Sequence, residues 1–409
     1  MPTDKDRAGE SGAVAGIDCR AEAQALRERI VSNRRRIHEH PERGLQTPRT
    51  QELIVDELRR MGLDGARTGE KCTSVVCDIE GGAKGEGETR KVVLRADIDA
   101  LPLDEKSNVA WASKNAGVMH ACGHDGHASM LLGAAEILAA HRSELPGTVR
   151  LMFQPGEEGF GGARVMIDED VLAGVDTAFA IHLEPSRPLG ELHTRIGTVL
   201  AGDSVFSVTF RGLGGHASMP YHARDPILAI GPFVDALSHV AARETDPDDR
   251  AVFSVTCVSA GTTVNVIPSA AKCSGTIRTL SRHRREVTEK QLRRVAEGVA
   301  GMYRLEKEVE IGHGYPPTVN HEAPVLGALQ AARSLGLRTE FMESPMMGAE
   351  DFSYVLESVP GAMVFLGAKT AGGGPLHSDT MDLDEDALPL GAALHVAAAF
   401  EFLRCARDH

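Results

Sequence analysis

At 409 residues the chain is longer than one hydrophobic core usually serves, so two domains are expected. Its 42% hydrophobic and 25% charged content is that of a globular protein, and a formal net charge of -14 excludes the basic face that a nucleic-acid binder needs. No apolar run approaches the roughly 20 residues of a membrane span, and the N-terminus lacks a signal-peptide core, so no membrane partner is expected. The seven cysteines (19, 72, 77, 122, 257, 273 and 405) are an odd number without disulfide rhythm, which points to a reducing, cytoplasmic location.

Residues 1–16 are polar and glycine-rich and are expected to be disordered. A basic helix is predicted over 22–38, broken by His40-Pro41-Glu42, and an amphipathic helix over 50–61. Strand-like runs follow at 74–79, 92–96, 149–153 and 177–181, with a solvent loop at 81–88 and a small-residue helix at 128–141. Strands alternating with helices read as a doubly wound α/β domain, with functional loops at the carboxyl ends of its strands. The pattern changes near Leu200. Residues 203–211 alternate like a half-exposed antiparallel strand. A helix at 226–244, strands at 251–260 and 271–279, a helix at 284–303 and a strand near 307–312 follow. That order is a split βαβ sandwich, an inserted α+β domain. The expected division is 17–200 with 314–409 as a catalytic domain built on a mixed sheet, and 201–313 as the insert. In the resumed catalytic part a helix is predicted at 324–335, a strand at 362–366 and a last helix from 389.

Several constellations carry chemistry. M-H-A-C-G-H-D-G-H (119–127) sets thiol, imidazole and carboxylate groups among glycines. These groups hold transition metals. Cys122 and His124 are two apart, which puts them on one side of an extended segment or tight loop. R-A-D-I-D-A-L-P (95–102) ends a strand with Asp97 and Asp99 on one face, where they need a cation or donors to stay ionised. Q-P-G-E-E-G (154–159) offers Glu157 and Glu158, and a natural division is one metal ligand and one general base. His182 ends a strand, and His377 lies in G-G-G-P-L-H-S-D. In the insert, His216 sits on a glycine turn. Asn265 in N-V-I-P offers an amide, and Arg278 in G-T-I-R-T offers a guanidinium able to clamp a carboxylate. Glu350 and Asp351 in M-G-A-E-D-F could support a site or form surface contacts.

Taken together and in this order, these motifs resemble one family, the metal-dependent amidohydrolases that include hippurate hydrolases, N-acyl-amino-acid amidohydrolases (aminoacylases) and indole-acetyl-amino-acid hydrolases. The resemblance runs from about Arg34 to the C-terminus. It implies two divalent metal ions held by Cys122, His124, Glu158, His182 and His377, with Glu157 as general base and Asp99 orienting a ligand from behind. It implies that the insert is a lid and a dimerisation surface, giving a homodimer in which His216 reaches the substrate carbonyl of the neighbouring subunit. Asn265 and Arg278 would bind the substrate carboxylate. Relatives often carry a proline soon after the residue matching His377, where this chain has S-D-T-M-D. The thiolate favours zinc, while carboxylate and imidazole admit manganese, cobalt or nickel.

The implied reaction hydrolyses the amide of a small-molecule N-acyl amino acid to a carboxylic acid and a free amino acid. A dipeptidase or an N-acetyl-diaminopimelate deacetylase would use the same site. A free amine would call for an acidic group to hold it, whereas an acyl chain calls for an apolar pocket. An inactive binding homologue is the reading from another class, and the complete set of ligands and base stands against it.

Overall fold

The structure is a computed structural model that describes residues 13–83 and 90–404. Among these the chain divides into two units. One takes in residues up to 199, 319–344 and 354 onward; the other takes in 200–318 and 345–353. Most of the tail expected to be disordered, most of the 81–88 loop and Cys405 lie outside the described residues. The expectation of disorder does not extend to residues 13–16, because Ala13–Val14 pairs with Ile17–Asp18 in a small hairpin.

The first unit is built on an eight-stranded mixed sheet. Its order is Arg338–Phe341, Glu191–Thr194, Gly361–Gly367, Thr177–Glu184, Arg90–Asp97, Gly147–Gln154, Val75–Glu80 and Arg67–Thr68. The four strands from Gly361–Gly367 to Gly147–Gln154 are mutually parallel. They are apolar on both faces, as parallel strands covered by helices must be. Register sets Asp97 beside Gln154 and His182 beside Phe365, so the polar residues gather at the carboxyl ends of these strands.

The helical boundaries differ from the sequence reading in two places that matter. The expected 22–38 helix is two, Cys19–Ala25 and Arg27–His38, because the Leu26 N–H tightens onto Glu22 and Ala23. The expected 128–141 helix begins earlier, as His124–Ala140, and so takes in half of the 119–127 motif. The closing helix, Ala387–Arg404, is long and apolar enough by composition to cross a membrane, but it is mostly buried in the core. It packs against His124–Ala140 through small residues. A Cβ on Gly391 would stand 2.0 Å from Met130 Sδ.

The second unit is a four-stranded antiparallel sheet in the order Ala251–Ala260, Ala270–Thr279, Gly202–Arg211 and Glu306–His313. Alternate residues of Gly202–Arg211 are buried. Phe206, Val208 and Phe210 form a core with Phe233 and Leu237 of helix Ile227–Arg243 and Leu292 and Val299 of helix Arg282–Tyr303. The two sheet edges differ. Glu306–His313 carries Glu306, Lys307, Glu308 and Glu310, charges that discourage strand addition. Ala251–Ala260 carries no charge and no proline, and exposes Val252 and Val258.

The contact between helices His124–Ala140 and Ala387–Arg404 generates the first prediction. Gly391→Val should destabilise the protein by about 1–3 kcal/mol, the range for overpacking a core, seen as a lower midpoint in chemical or thermal unfolding. An unchanged midpoint would show that Met130 yields without cost.

Candidate metal centre

The loop before helix His124–Ala140 positions the principal donors. Gly123 has φ +85°, in the left-handed region that favours glycine, and it turns the chain from the Cys122 loop straight into the helix. Cys122 is thus on a loop as expected. His124, Asp125 and His127 are helical, which corrects the reading of the whole motif as an extended or looped segment. Cys122 and His124 converge nonetheless, because the turn falls between them. Their donor atoms and that of His182 all lie within 4.8 Å of one another, and all three residues are buried.

Hydrogen bonds to carbonyl oxygens settle the imidazole tautomers, since a carbonyl can only accept. His124 Nδ1–H donates to the backbone oxygen of Asp99 at 2.9 Å. His182 Nδ1–H donates to the backbone oxygen of Leu183 at 2.7 Å. Each ring therefore spends Nδ1 on the backbone and turns Nε2 towards the other donors. That of His182 lies 3.5 Å from Cys122 Sγ. That of His124 is buried with no hydrogen-bond partner among the described residues.

The Asp99 carboxylate shapes the opposite wall. Oδ1 accepts the Glu157 N–H at 2.9 Å and Oδ2 accepts the Glu158 N–H at 3.1 Å. It thereby pins the turn that follows strand Gly147–Gln154, and it also stands 3.6 Å from His124 Nδ1. In that turn Gly162 is tightly constrained, since a Cβ there would fall 1.7 Å from the Pro155 oxygen. Glu158 Oε1 lies 3.4 Å from His377 Nε2. Cys122, Glu158 and His377 form a second set of donors within 4.8 Å, and His124, Glu157 and Glu158 a third. His377 itself has φ +62°, a costly conformation for a non-glycine residue. It is held by its N–H, which donates to the Ala121 oxygen at 2.7 Å. Its side chain is 56% exposed, unlike the other donors.

Burial raises the Cys122 thiol well above its ordinary range, and burial raises Glu158 to about 7. His124 goes the other way: burial opposes its charge, but Asp97 and Cys122 outweigh it and hold its pKa well above the usual imidazole value. Buried acid-forming donors beside His124 Nε2 and Glu158 Oε1, two buried atoms that make no hydrogen bond among the described residues, are the environment a divalent cation satisfies.

The sequence reading missed a second layer. Arg34 Nε donates to Asp125 Oδ2 at 2.9 Å, His38 Nδ1 lies 2.8 Å from the same oxygen, and His38 Nε2 lies 3.1 Å from Glu105. Burial would lower His38, but Asp125 and Glu105 raise it to about 9, so it is charged. Arg34 and His38 are four residues apart on one helical face, a spacing that could have signalled the pair. Asp97 takes Arg95 NH1 on Oδ2 at 2.6 Å and His127 Nδ1 on Oδ1 at 2.6 Å.

In the second unit, His216 and Asn265 come together. Val266 pairs with His216, and both His216 and Asn265 line a cavity of about 640 Å³ with Gly214, Thr262 and Ala270. The Ser218 N–H donates to His216 Nδ1 at 3.1 Å, so the exposed ring carries its proton on Nε2 and is a donor there. Arg278 is not brought to this cavity. It sits at the other end of strand Ala270–Thr279, opposite Asp203, about 26 Å from Ala270 at 3.3 Å per residue. Glu350 and Asp351 are buried in the 345–353 segment, where Glu350 accepts the Phe352 N–H at 2.9 Å.

Fold and donor set together define a metal-dependent hydrolase. Residues 93–401 match the peptidase family M20/M25/M40, and the chain belongs to that family. It is 40% identical over 382 residues to an IAA-amino acid hydrolase of Arabidopsis thaliana, covering 92% of this chain and 85% of the relative. It is 38% identical over 387 residues to thermostable carboxypeptidase 2 of Saccharolobus solfataricus, covering 93% and 97%. Its fold is similar to the crystal structure of a dinuclear metal binding peptidase of Bacillus subtilis, with a TM-score of 0.83, 34% identity, and coverage of 93% of this chain and 99% of that one. Hydrolysis of amide bonds with the help of metal is thus the chemistry of this protein.

The Cys122 position is tested by Cys122→Ala. The variant should fold but lose most of its bound metal, measured by elemental analysis after gel filtration. Full metal content would remove Cys122 from the centre.

Proposed function

We propose that the protein hydrolyses N-acyl amino acids, releasing a carboxylic acid and a free amino acid, and that Cys122, His124, Glu158, His182 and His377 hold two divalent metal ions. The observation that carries this reading is the pair of donor sets that share Cys122, one of them fully buried, with Glu157 beside them. The relatives support it, because an amino-acid conjugate hydrolase and a carboxypeptidase both act on an amide whose nitrogen side bears a carboxylate. The thiolate favours zinc; manganese, cobalt and nickel are compatible with the remaining donors. A thiol ligand also suits a reducing cytoplasm.

When bound, the ions would acidify a water molecule and polarise the substrate carbonyl. Glu157 takes the proton from the attacking water and delivers it to the leaving nitrogen. Asp99 holds the backbone of Glu157 and Glu158 through their two N–H groups, which fixes the turn that carries both carboxylates. The Nε2–H of His216 supplies a hydrogen bond to the developing oxyanion. Arg278 binds the carboxylate end, and Asn265 assists from the cavity it shares with His216.

We also propose a homodimer in which His216 acts in trans. The carbonyl and carboxylate of an N-acyl amino acid are a few ångströms apart, whereas His216 lines the cavity at the Ala270 end of strand Ala270–Thr279 and Arg278 lies near the other end. That separation supports contributions from two copies to one substrate. The uncharged Ala251–Ala260 edge provides a surface on which a second copy can pair.

Two experiments test these points. Replacing the α-carboxylate of an N-acyl amino acid with a primary amide should lower kcat/KM by at least ~10-fold, as expected for loss of a charged hydrogen-bonded pair of about 1.5–3 kcal/mol. Equal efficiency on acid and amide would make the protein a general amidase, and a preference for dipeptides over N-acyl amino acids would favour the dipeptidase reading. For assembly, Glu157→Gln and His216→Ala should each be inactive, and mixing them under conditions of subunit exchange should restore part of the activity. Exchange without recovery would place His216 in cis.

A further inference from the structure

His127 is one of the members of the 119–127 motif that the proposed ligand set leaves unused. It is buried, and its ring meets Asp97 and His124 within the 4.8 Å span of a three-donor group. Its position therefore invites assignment as a further ligand. Its hydrogen bonds exclude that. The backbone N–H of Leu183 points at His127 Nε2 at 2.8 Å. A backbone N–H can only donate, so the Nε2 lone pair is already engaged. The proton must be on Nδ1, where it is given to Asp97 Oδ1 at 2.6 Å. No lone pair remains for a cation.

The partners of His127 say what it does instead. Leu183 is the residue whose carbonyl oxygen accepts from His182 Nδ1. One residue thus receives both rings, His127 on its N–H and His182 on its C=O. At the other end, Asp97 is clamped by Arg95, which also donates to Gln154 at 2.9 Å. The line Gln154, Arg95, Asp97, His127, Leu183 ties three neighbouring strands to the helix that begins at His124. It crosses the gap between the element carrying His124 and the strand carrying His182.

We infer that His127 is a positioning residue, a neutral strut that sets the spacing and orientation of His124 and His182 and contributes no bond to metal. This rests on the ligand set proposed above, but it can fail separately, since it is read from metal binding with no substrate present. The ligand set has its own test in Cys122→Ala.

The experiment compares zinc affinity of the full-length protein, His127→Gln and His127→Leu by competition with a chromophoric chelator. A glutamine amide can donate to Asp97 and accept from Leu183; leucine can do neither. Both variants should still take up the same number of ions per chain as the unaltered protein. His127→Leu should bind about 10–100-fold more weakly, the usual loss when a group supporting a ligand is removed, and His127→Gln should recover most of that loss. Loss of one ion in His127→Gln would make His127 a ligand and overturn the inference. So would unchanged affinity in His127→Leu, or an equal loss in both variants, which would reduce the effect to packing. Should His127→Leu not fold, the unaltered protein labelled with isotopic histidine and loaded with NMR-active cadmium decides the matter. The His127 nitrogens should show no coupling to cadmium and a protonated Nδ1; a resolved coupling at His127 would refute the strut.

Discussion

Acid-forming groups held out of water govern this structure. Asp97, Asp99, Cys122 and Glu157 are buried, and the Glu158 carboxylate is nearly so. In such surroundings an ionised group needs a cation or several donors. Asp97 is met by Arg95 and His127, and Asp99 by two backbone amides. Burial pushes Cys122 and Glu158 towards their protonated forms. A divalent cation would favour their ionised forms, and the sheet, the Gly123 turn and the glutamate turn bring the cluster together.

The orientation of the imidazole donors is fixed by groups that do not titrate. His124 and His182 each spend one nitrogen on a backbone carbonyl, whereas the two glutamates are aligned through their backbone N–H groups onto the Asp99 carboxylate. Since peptide carbonyls keep one protonation state, the imidazole alignment does not change with pH. The layer behind is different in kind. Arg34 and His38 secure Asp125 by charge, and with it the first turn of the helix that carries His124.

Much of this was legible in the sequence because the donors sit in short motifs at strand ends, where alternating apolar runs stop. Five of the eight strands of the first sheet and the sandwich order of the second follow from periodicity in the same way, whereas the short strands Arg67–Thr68, Glu191–Thr194 and Arg338–Phe341 carry too few residues to show it. What was not legible depended on three-dimensional turns. One glycine with positive φ decides that His124 is helical while Cys122 is not, and glycine codes equally for loop and cap. Asp125 and His127 share one motif yet face different partners, Arg34 and His38 for one, Asp97 and Leu183 for the other. Those partners are scattered from residue 34 to residue 183, and no local pattern announces them. Likewise His216, Asn265 and Arg278 read as one group on a line, but a ten-residue strand separates the first two from the third.

The way the second unit is spliced into the chain has its own consequence. Its first and last strands, Gly202–Arg211 and Glu306–His313, are hydrogen-bonded neighbours, and the Asp203 N–H donates to the Tyr315 oxygen at 3.0 Å. The stretch 202–313 therefore begins and finishes on neighbouring strands, although the second unit also takes in 345–353. A stretch whose ends adjoin can be lengthened, shortened or exchanged for that of a relative with little change to the span it must bridge.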